Sequence, residues 1–327
     1  MDTGVAASSS LRDRLKTAAE TTYVGRVAAT GSLGMMRVQQ DRRTPLLLIG
    51  PSALATALIM LVPVLLLVRM SVSRVSRFGR ITDVVGLENF ARLLADPVLP
   101  QVALRTIVWT GSVVAGTILV SLPAALILHQ RFFGRRLAQF LILSPWAVSV
   151  TSMAVIWRRA LSDEGGLLNR VALAAGLTER PVIWLGSIWG SFGFEILIAI
   201  LVSVPFSIVI FQAGLSSIPP ELDDAARIDG ASLLERLRSI TLPLLRPFVW
   251  VVLIFNIAYV TNSFPIIWIL TQGGPANATD ILVTYMYKLA FTFGRLDEAA
   301  ALGVLMLGGL VIATVLMLPL LDRADHA

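Results

Sequence analysis

Long apolar runs broken by short charged stretches set the frame of the chain. A hydrocarbon core of about 30 Å takes about 20 mostly apolar residues in a helix. Six runs reach that length: residues 46–68, 106–128, 138–157, 185–211, 248–270 and 300–321. They are too long for barrel strands, and lipid offers no partner to an unpaired backbone amide. The pattern therefore predicts an all-α fold, a polytopic transmembrane helical bundle of six spans with both termini on one side. Residues 1–44 read as a polar N-terminal tail, 45–321 as the membrane domain and 322–327 as a C-terminal tail.

The tail supports two readings. Ser10 followed by Asp13 has the spacing of a capping box, and Leu11, Leu15, Ala18 and Thr22 recur at helical intervals, which fits a short helix on the membrane surface. Its polarity fits a disordered segment equally well. A secretory signal is not expected, because the first apolar run begins only after Pro45.

Composition strengthens the membrane assignment and narrows the chemistry. The chain has 327 residues, 56% hydrophobic and 15% charged, where soluble domains carry about 25% charged residues. It contains no cysteine, which removes disulfides and thiolate metal sites, and its two histidines, His129 and His326, are too far apart to suggest a ligand pair. No metal centre is expected. The net charge of +6 is scattered through tails and loops, where lipid headgroups rather than nucleic acid are the natural counterpart. Positive charge divides almost evenly between the two faces, so it does not orient the bundle.

Several polar features interrupt the apolar runs. Pro205 lies in an apolar stretch from Leu185 to Ile218 and leaves the carbonyl near Leu201 without its helical donor; Pro265 does the same to Thr261. Irregular backbone at membrane depth is tolerated where it is buried in protein or lines a polar cavity; a simple kink is the plainer reading. In the fifth run Asn256, Tyr259 and Ser263 follow i, i+3, i+7 and so are expected on one face, with Asn262 to the side. Neutral amide and hydroxyl groups beside an aromatic ring suit a polyhydroxylated ligand better than an ion. Hydrogen bonding between spans is the competing role for them. Glu195 is the acidic side chain set well inside an apolar run, at a cost of about 2.5 to 3.5 kcal/mol on insertion scales. It is expected either at the outer mouth of a cavity, as an outer gate, or paired with an arginine of a neighbouring chain.

Residues 219–247, PPELDDAARIDGASLLERLRSITLPLLRP, are too charged and too regularly patterned for a plain turn. Leu233, Leu237 and Ile240 give a short helix an apolar stripe, Asp229 is placed to cap it, Gly230 supplies permissive backbone between two helices, and Pro243 and Pro247 end it. The segment resembles the signature of the membrane-spanning permease subunits of binding-protein-dependent ABC importers: Glu-Ala-Ala, three residues, Gly, nine residues, Ile, one residue, Leu-Pro. Here Asp224-Ala225-Ala226, Gly230 with Ala231 after it, Ile240, Leu242 and Pro243 keep both gaps. Asp224 replaces the usual Glu, a shorter arm with the same charge. The flanks AGLSSIPPELDDAARIDGAS, ITLPLLRPF and LTQGGPANATD, and VGLENFARLLADP after the first run, look like the carbohydrate branch, and Gly273-Gly274-Pro275 is similar to the maltose- and glycerol-phosphate-type first permease subunit.

The resemblance implies a cytoplasmic helix–turn–helix coupling segment. Asp224, Ala225, Ala226, Asp229, Gly230, Ala231, Leu242 and Pro243 would then dock on an ATPase. It also implies a second permease subunit, two ATPase subunits that bind ATP and Mg, an extracytoplasmic sugar-binding protein or lipoprotein, and no cofactor on this chain. The location implied is the cytoplasmic membrane of a bacterium, in contact with lipid, with both termini cytoplasmic. Transport would proceed by alternating access. Positions matching the family's sugar-lining residues are Ser203, Phe206, Asn256, Tyr259 and Val260, to which the helical face adds Ser263; Leu201 stands where a tryptophan is often found. The cargo implied is a sugar or sugar derivative, with a non-sugar polar solute as the alternative.

Other function classes find little support. A phosphate loop needs Gly, four residues and Gly-Lys-Ser/Thr, yet the two lysines are Lys16 after Leu15 and Lys288 after Tyr287. An intramembrane protease would need paired aspartates in spans, His-Glu-x-x-His or a serine with its base, and these are missing. An autonomous channel or secondary transporter would want more ionisable groups inside spans than Glu195.

Overall fold

A computed structural model describes residues 43–325; the tail helix expected near residues 10–22 lies outside them. The chain forms two units, one ending at Pro63 and one beginning at Val64. What is described of the first is the opening of helix α1 (Arg43–Ser71), which contains Pro51. Its side chains from Ile49 onward are mostly exposed, as an apolar helix facing lipid requires.

The second unit starts with the end of α1. A short antiparallel hairpin follows, β1 (Ser73–Val75) with β2 (Ile81–Val84). Then come α2 (Glu88–Leu94), the long α3 (Leu99–His129), α4 (Arg135–Leu143), α5 (Val150–Ala160), α6 (Leu167–Ala174) and the long α7 (Ile188–Ser217). The segment read as a coupling element is α8 (Pro220–Ile228) and α9 (Leu233–Arg236), continued by a π-helical turn (Leu237–Thr241) and α10 (Leu242–Leu244). The chain ends with α11 (Arg246–Thr261), α12 (Phe264–Leu270), α13 (Leu282–Tyr287) and α14 (Leu296–Asp325).

Among the described residues four helices are long and apolar enough to cross a membrane: Ile49–Ser71, Leu99–His129, Ile188–Ser217 and Leu296–Met317. Two bent pairs join them, Arg135–Ala147 with Val150–Ala160 at 98° and Leu233–Leu244 with Arg246–Thr261 at 61°, which makes six if each pair is one span. The third and fifth apolar runs are thus not the single helices their hydropathy predicts. In the third, Pro145 enters a 3₁₀ turn and Ser149 caps α5 by accepting from the Ser152 amide at 3.1 Å, so a new helix starts mid-run. In the fifth, α11 stops at Thr261 and α12 restarts with Pro265 in its first turn, where the missing N–H costs nothing. Pro205 behaves differently: α7 runs through it without a break.

Three apolar clusters hold the spans: that of Leu93, Leu99, Val102, Leu289 and Leu302 lies at the far end, and two more run between α3, α7 and α11. One of these two joins Trp109 and Val113 of α3 to Ile198 and Ala199 of α7 and to Val260, Ile266 and Ile267 around the α11–α12 break. Trp109 is fully buried and donates its indole N–H to the Val260 carbonyl at 3.0 Å, satisfying a carbonyl near the end of α11. A Cβ on Gly116 would collide with Ile200, so α3 and α7 approach as closely as glycine permits. The other cluster joins Leu128 of α3, Ile208 and Phe211 of α7, and Leu245 and Val252 of the α11 end, the end that carries the coupling segment.

The far end is held by side chains. Asn89 donates to the carbonyls of Ser71 and Ser73, both at 2.8 Å, fixing α2 to the end of α1 and the hairpin. Arg92 reaches Asp297 at 3.0 Å and Glu298 at 3.5 Å, and Arg295 pairs with Glu298 and with Asp96 at 3.6 Å. The Tyr285 hydroxyl donates to Asp96 at 2.6 Å. Burial alone would raise the Asp96 carboxyl, but bonds from Tyr285 and the Val98 amide and the nearby Arg295 charge hold it below the ordinary aspartate range. Burial and the same bond push Tyr285 above its ordinary value.

Candidate functional site

The coupling segment is built by backbone closure. Pro220 opens α8, with Glu221 and Asp223 in the first turn and Arg227 in the last, the charge order a helix dipole favours. At its end the Ala231 amide donates to Ala226 O at 2.9 Å and Gly230 N to Arg227 O at 3.1 Å, with Gly230 at φ +80°. This is a Schellman closure, which explains why a glycine sits four residues after the alanine pair. Nothing lies within 4 Å of where a Gly230 Cβ would stand, so the requirement is conformation and not space.

The cap on α9 is not Asp229, as the sequence suggested, because Asp229 is spent closing α8, its amide bonded to Ala225 O at 3.0 Å. Ser232 caps α9 instead, in a capping box with Glu235: Ser232 N–H to Glu235 Oε2 at 2.7 Å and Glu235 N–H to Ser232 Oγ at 3.3 Å. A staple that sequence spacing did not reveal joins the two helices, Arg236 to Asp223 at 2.6 Å, with Arg227 on the other Asp223 oxygen at 3.0 Å. The i,i+4 spacing of Asp223 and Arg227 was visible in the sequence; the partner thirteen residues on was not. Asp224 and Asp229 are exposed and form no ion pair among the described residues. Ile228, Leu233 and Leu234 are also exposed, Ile228 at 87%. Leu242 and Pro243 precede the 61° bend into α11, and Leu245 behind them is fully buried. A cleft of about 700 Å³ lies between these helices and the ends of α3 and α7, bordered by His129, Leu215, Asp223, Arg236 and Ile240.

The face expected on the fifth run divides in two. Asn256 and Val260 follow Val252 at i, i+4, i+8, and all three are buried, as is Ser263. Asn256 donates to Ser207 Oγ on α7 at 3.1 Å and to Val252 O at 2.8 Å, which makes it the hydrogen bond between spans that its composition left as an alternative. Ser203 is buried as well, its hydroxyl without a partner among the described residues. Tyr259, at 48% exposed, turns the other way with Phe255 and Asn262. Asn262, set aside on spacing, belongs to the open face with Tyr259, and Asn256 does not. The reason is packing: the stripe centred on Val252 and Val260 is the one that meets α3 and α7, and the helix rotation follows it. Phe206 is half-buried beside this face, with ring centroids 5.8 Å from Phe255 and 6.1 Å from Trp146. Four of the six residues expected to line a cavity, Ser203, Asn256, Val260 and Ser263, are therefore interior, Phe206 is half-buried and Tyr259 is exposed.

Glu195 departs from both expectations. It is fully buried, so it stands at no mouth, and its neighbours are threonines of its own chain: Thr271 donates to Oε1 at 2.6 Å, with the Thr279 hydroxyl 3.4 Å from the same oxygen.

Residues 92–324 match the family described as the binding-protein-dependent transport system inner membrane component. The chain belongs to that family. It is 45% identical to a probable ABC transporter permease protein of Brucella suis over 88% of this chain and 100% of that one. It is 37% identical to the trehalose/maltose transport system permease protein of Thermococcus litoralis, over 65% of this chain and 70% of the relative. Its fold is also that of a chain in the crystal structure of a bacterial ABC transporter that imports the acidic polysaccharide alginate, with TM-score 0.71, 23% identity, and 89% and 97% of the two chains covered.

This permease is therefore a membrane-embedded transport component, and the Asp224–Pro243 element lies within the residues that match the family. Its geometry offers no acid–base or nucleophilic constellation. What it does offer is a rigid, solvent-facing helix pair with unpaired acids and bare leucines at the end of the span bundle.

Proposed function

We propose that this permease carries a sugar or sugar derivative across the cytoplasmic membrane by alternating access, driven by ATP hydrolysis on separate subunits. The observation that carries the reading is the coupling element. Its backbone is closed at Gly230 and braced at Asp223, while its apolar and acidic side chains remain free to meet another chain, the composition of a detachable, partly wet interface. In this reading α8 and α9 face the cytoplasm and dock on an ATPase subunit, two of which bind ATP and Mg. A second permease subunit completes the path, an extracytoplasmic binding protein delivers solute, and both termini are cytoplasmic.

For the cargo, the support is the open face of α11. Phe255, Tyr259 and Asn262 with Phe206 beside them present aromatic rings for the apolar face of a pyranose and neutral groups for its hydroxyls, without burying charge. The relatives' sugar transport roles point the same way. The test is uptake of labelled sugars by cells carrying the intact transporter. Phe255→Ala with Tyr259→Ala should raise the uptake KM by about tenfold or more, the scale of losing two aromatic contacts. Unchanged kinetics in that variant would remove the cavity assignment, and uptake without the accompanying ATPase would remove the importer reading.

A further inference from the structure

The loop between α12 and α13, residues 271–280, is the LTQGGPANATD stretch that sequence similarity singled out and to which transport assigns no role. Its backbone is held against its own preference. Gln272, Ala276 and Asn277 have φ of 55°, 50° and 59°, in the left-handed region that non-glycine residues avoid, and Gly273 has φ 83° where a Cβ would collide with Asp280. Such a conformation persists only where surrounding bonds over-determine it.

Arg105 of α3 donates to the Asn277 carbonyl at 2.8 Å, and two carboxyl groups supply further bonds; they differ. Asp280 is ion-paired: Lys288 Nζ lies 2.7 Å from Oδ2 and also reaches Asn277 Oδ1 at 2.7 Å, while the Thr284 hydroxyl is shared between Asp280 Oδ1 at 3.0 Å and the Ile281 carbonyl at 2.9 Å. These contacts tie the loop to α13 and the turn after it. Glu195 ties the loop to α7. Each threonine hydroxyl has one proton to give. Thr279 Oγ1 lies 3.0 Å from Gly274 O and 3.4 Å from Glu195 Oε1, and so serves the carbonyl. Thr271 accepts from the Gly273 amide at 3.1 Å and gives its proton to Glu195 at 2.6 Å. The other Glu195 oxygen, Oε2, is buried with no partner among the described residues.

We propose that Glu195 is a positioning residue that latches this loop to α7 through Thr271, and that the α7 side is the seam at which the loop lets go when the far end of the permease opens. A carboxyl held by one hydroxyl, its other oxygen bare, holds less firmly than Asp280 with its Lys288 ion pair at 2.7 Å, so the loop moves with α13 and parts from α7. The proposal rests on the transport reading for the opening itself, and on geometry alone for the latch.

Hydrogen exchange on the full-length chain in lipid nanodiscs tests it. The amides of Gly274, Ala278 and Thr279 are bonded within the loop, and the Tyr285 amide is bonded within α13. Glu195→Ala and Thr271→Val should speed exchange at the three loop amides by about tenfold, the scale of one hydrogen bond to a carboxyl, and leave Tyr285 and α3 unchanged. Glu195→Gln and Thr271→Ser keep an acceptor and a donor and should stay within about twofold of the parent. Unchanged loop exchange in Glu195→Ala, or acceleration spread equally into α3, overturns the latch. Should Glu195→Ala fail to fold, Thr271→Val against Thr271→Ser decides by the same criterion. If exchange responds as expected and the chain supports no solute uptake, the transport reading fails and the latch stands.

Discussion

The two ends of this permease are held by different means. At the α8–α9 end, shape comes from main-chain bonds: the Ala226–Ala231 closure, the left-handed Gly230 and the Ser232 capping box. Most side chains there are unpaired and exposed. At the opposite end, charged side chains lock the elements around an apolar cluster of Leu93, Leu289 and Leu302, with Asp297 and Glu298 buried under Arg92 and Arg295, and Asp280 under Lys288. On the proposed function, a surface that meets another chain keeps its side chains free and takes its shape from the backbone. A surface that keeps its own loops in place engages them.

The largest expected effect comes from breaking the backbone rule. Gly230→Val puts a β-branched residue at φ +80°, a strain of about 1–3 kcal/mol, and solute uptake should fall at least about tenfold while the spans still insert. Gly230→Asn, which tolerates that conformation, should keep most uptake. Next is the side-chain rule: Arg92→Ala removes a cation from two buried carboxylates and should cost about 2–4 kcal/mol, read as a lower midpoint of thermal inactivation in detergent. Asp223→Asn sharpens the contrast, since it breaks the side-chain staple of the coupling end. Its cost, about 1 kcal/mol for half-exposed pairs, should show as a partial uptake loss with little change in thermal midpoint.

The smallest effect is the pH response of the far end. The Asp96 carboxyl is depressed in the fold, so its contribution to stability is complete above the ordinary aspartate value of about 4 and is lost as pH falls through the lower folded value. Tyr285 is raised, so its contribution holds below about pH 10 and is lost as pH rises through the folded value. Thermal midpoints followed against pH should bend at those two limits, and Tyr285→Phe should flatten both bends.

The same division explains what the sequence revealed. The backbone of the α8–α9 element was legible down to its glycine, because its closing and capping bonds run between residues three to five apart and the motif spacing is a direct print of that geometry. The assignment of its cap to Asp229 missed because Ser232 and Asp229 are equally suited by type, and only the Schellman closure decides between them. The surroundings of Glu195 were not legible, since its partner Thr271 and the nearby Thr279 lie 76 and 84 residues away. Hydropathy located the apolar runs but not the breaks at Ser144–Ser149 and Asn262–Ser263. It also did not give the rotation of α11, which depends on which stripe its neighbours bury.

The central claim is that α8 and α9 receive an ATPase. The chain has no cysteine, so Ile228→Cys places a single reactive thiol on the most exposed apolar residue of that element. Cross-linking from this thiol in native membranes should give one adduct with the ATP-hydrolysing subunit, at a yield that changes when ATP is added. No adduct with that subunit, or a thiol reached from the external side of intact cells, would contradict the account.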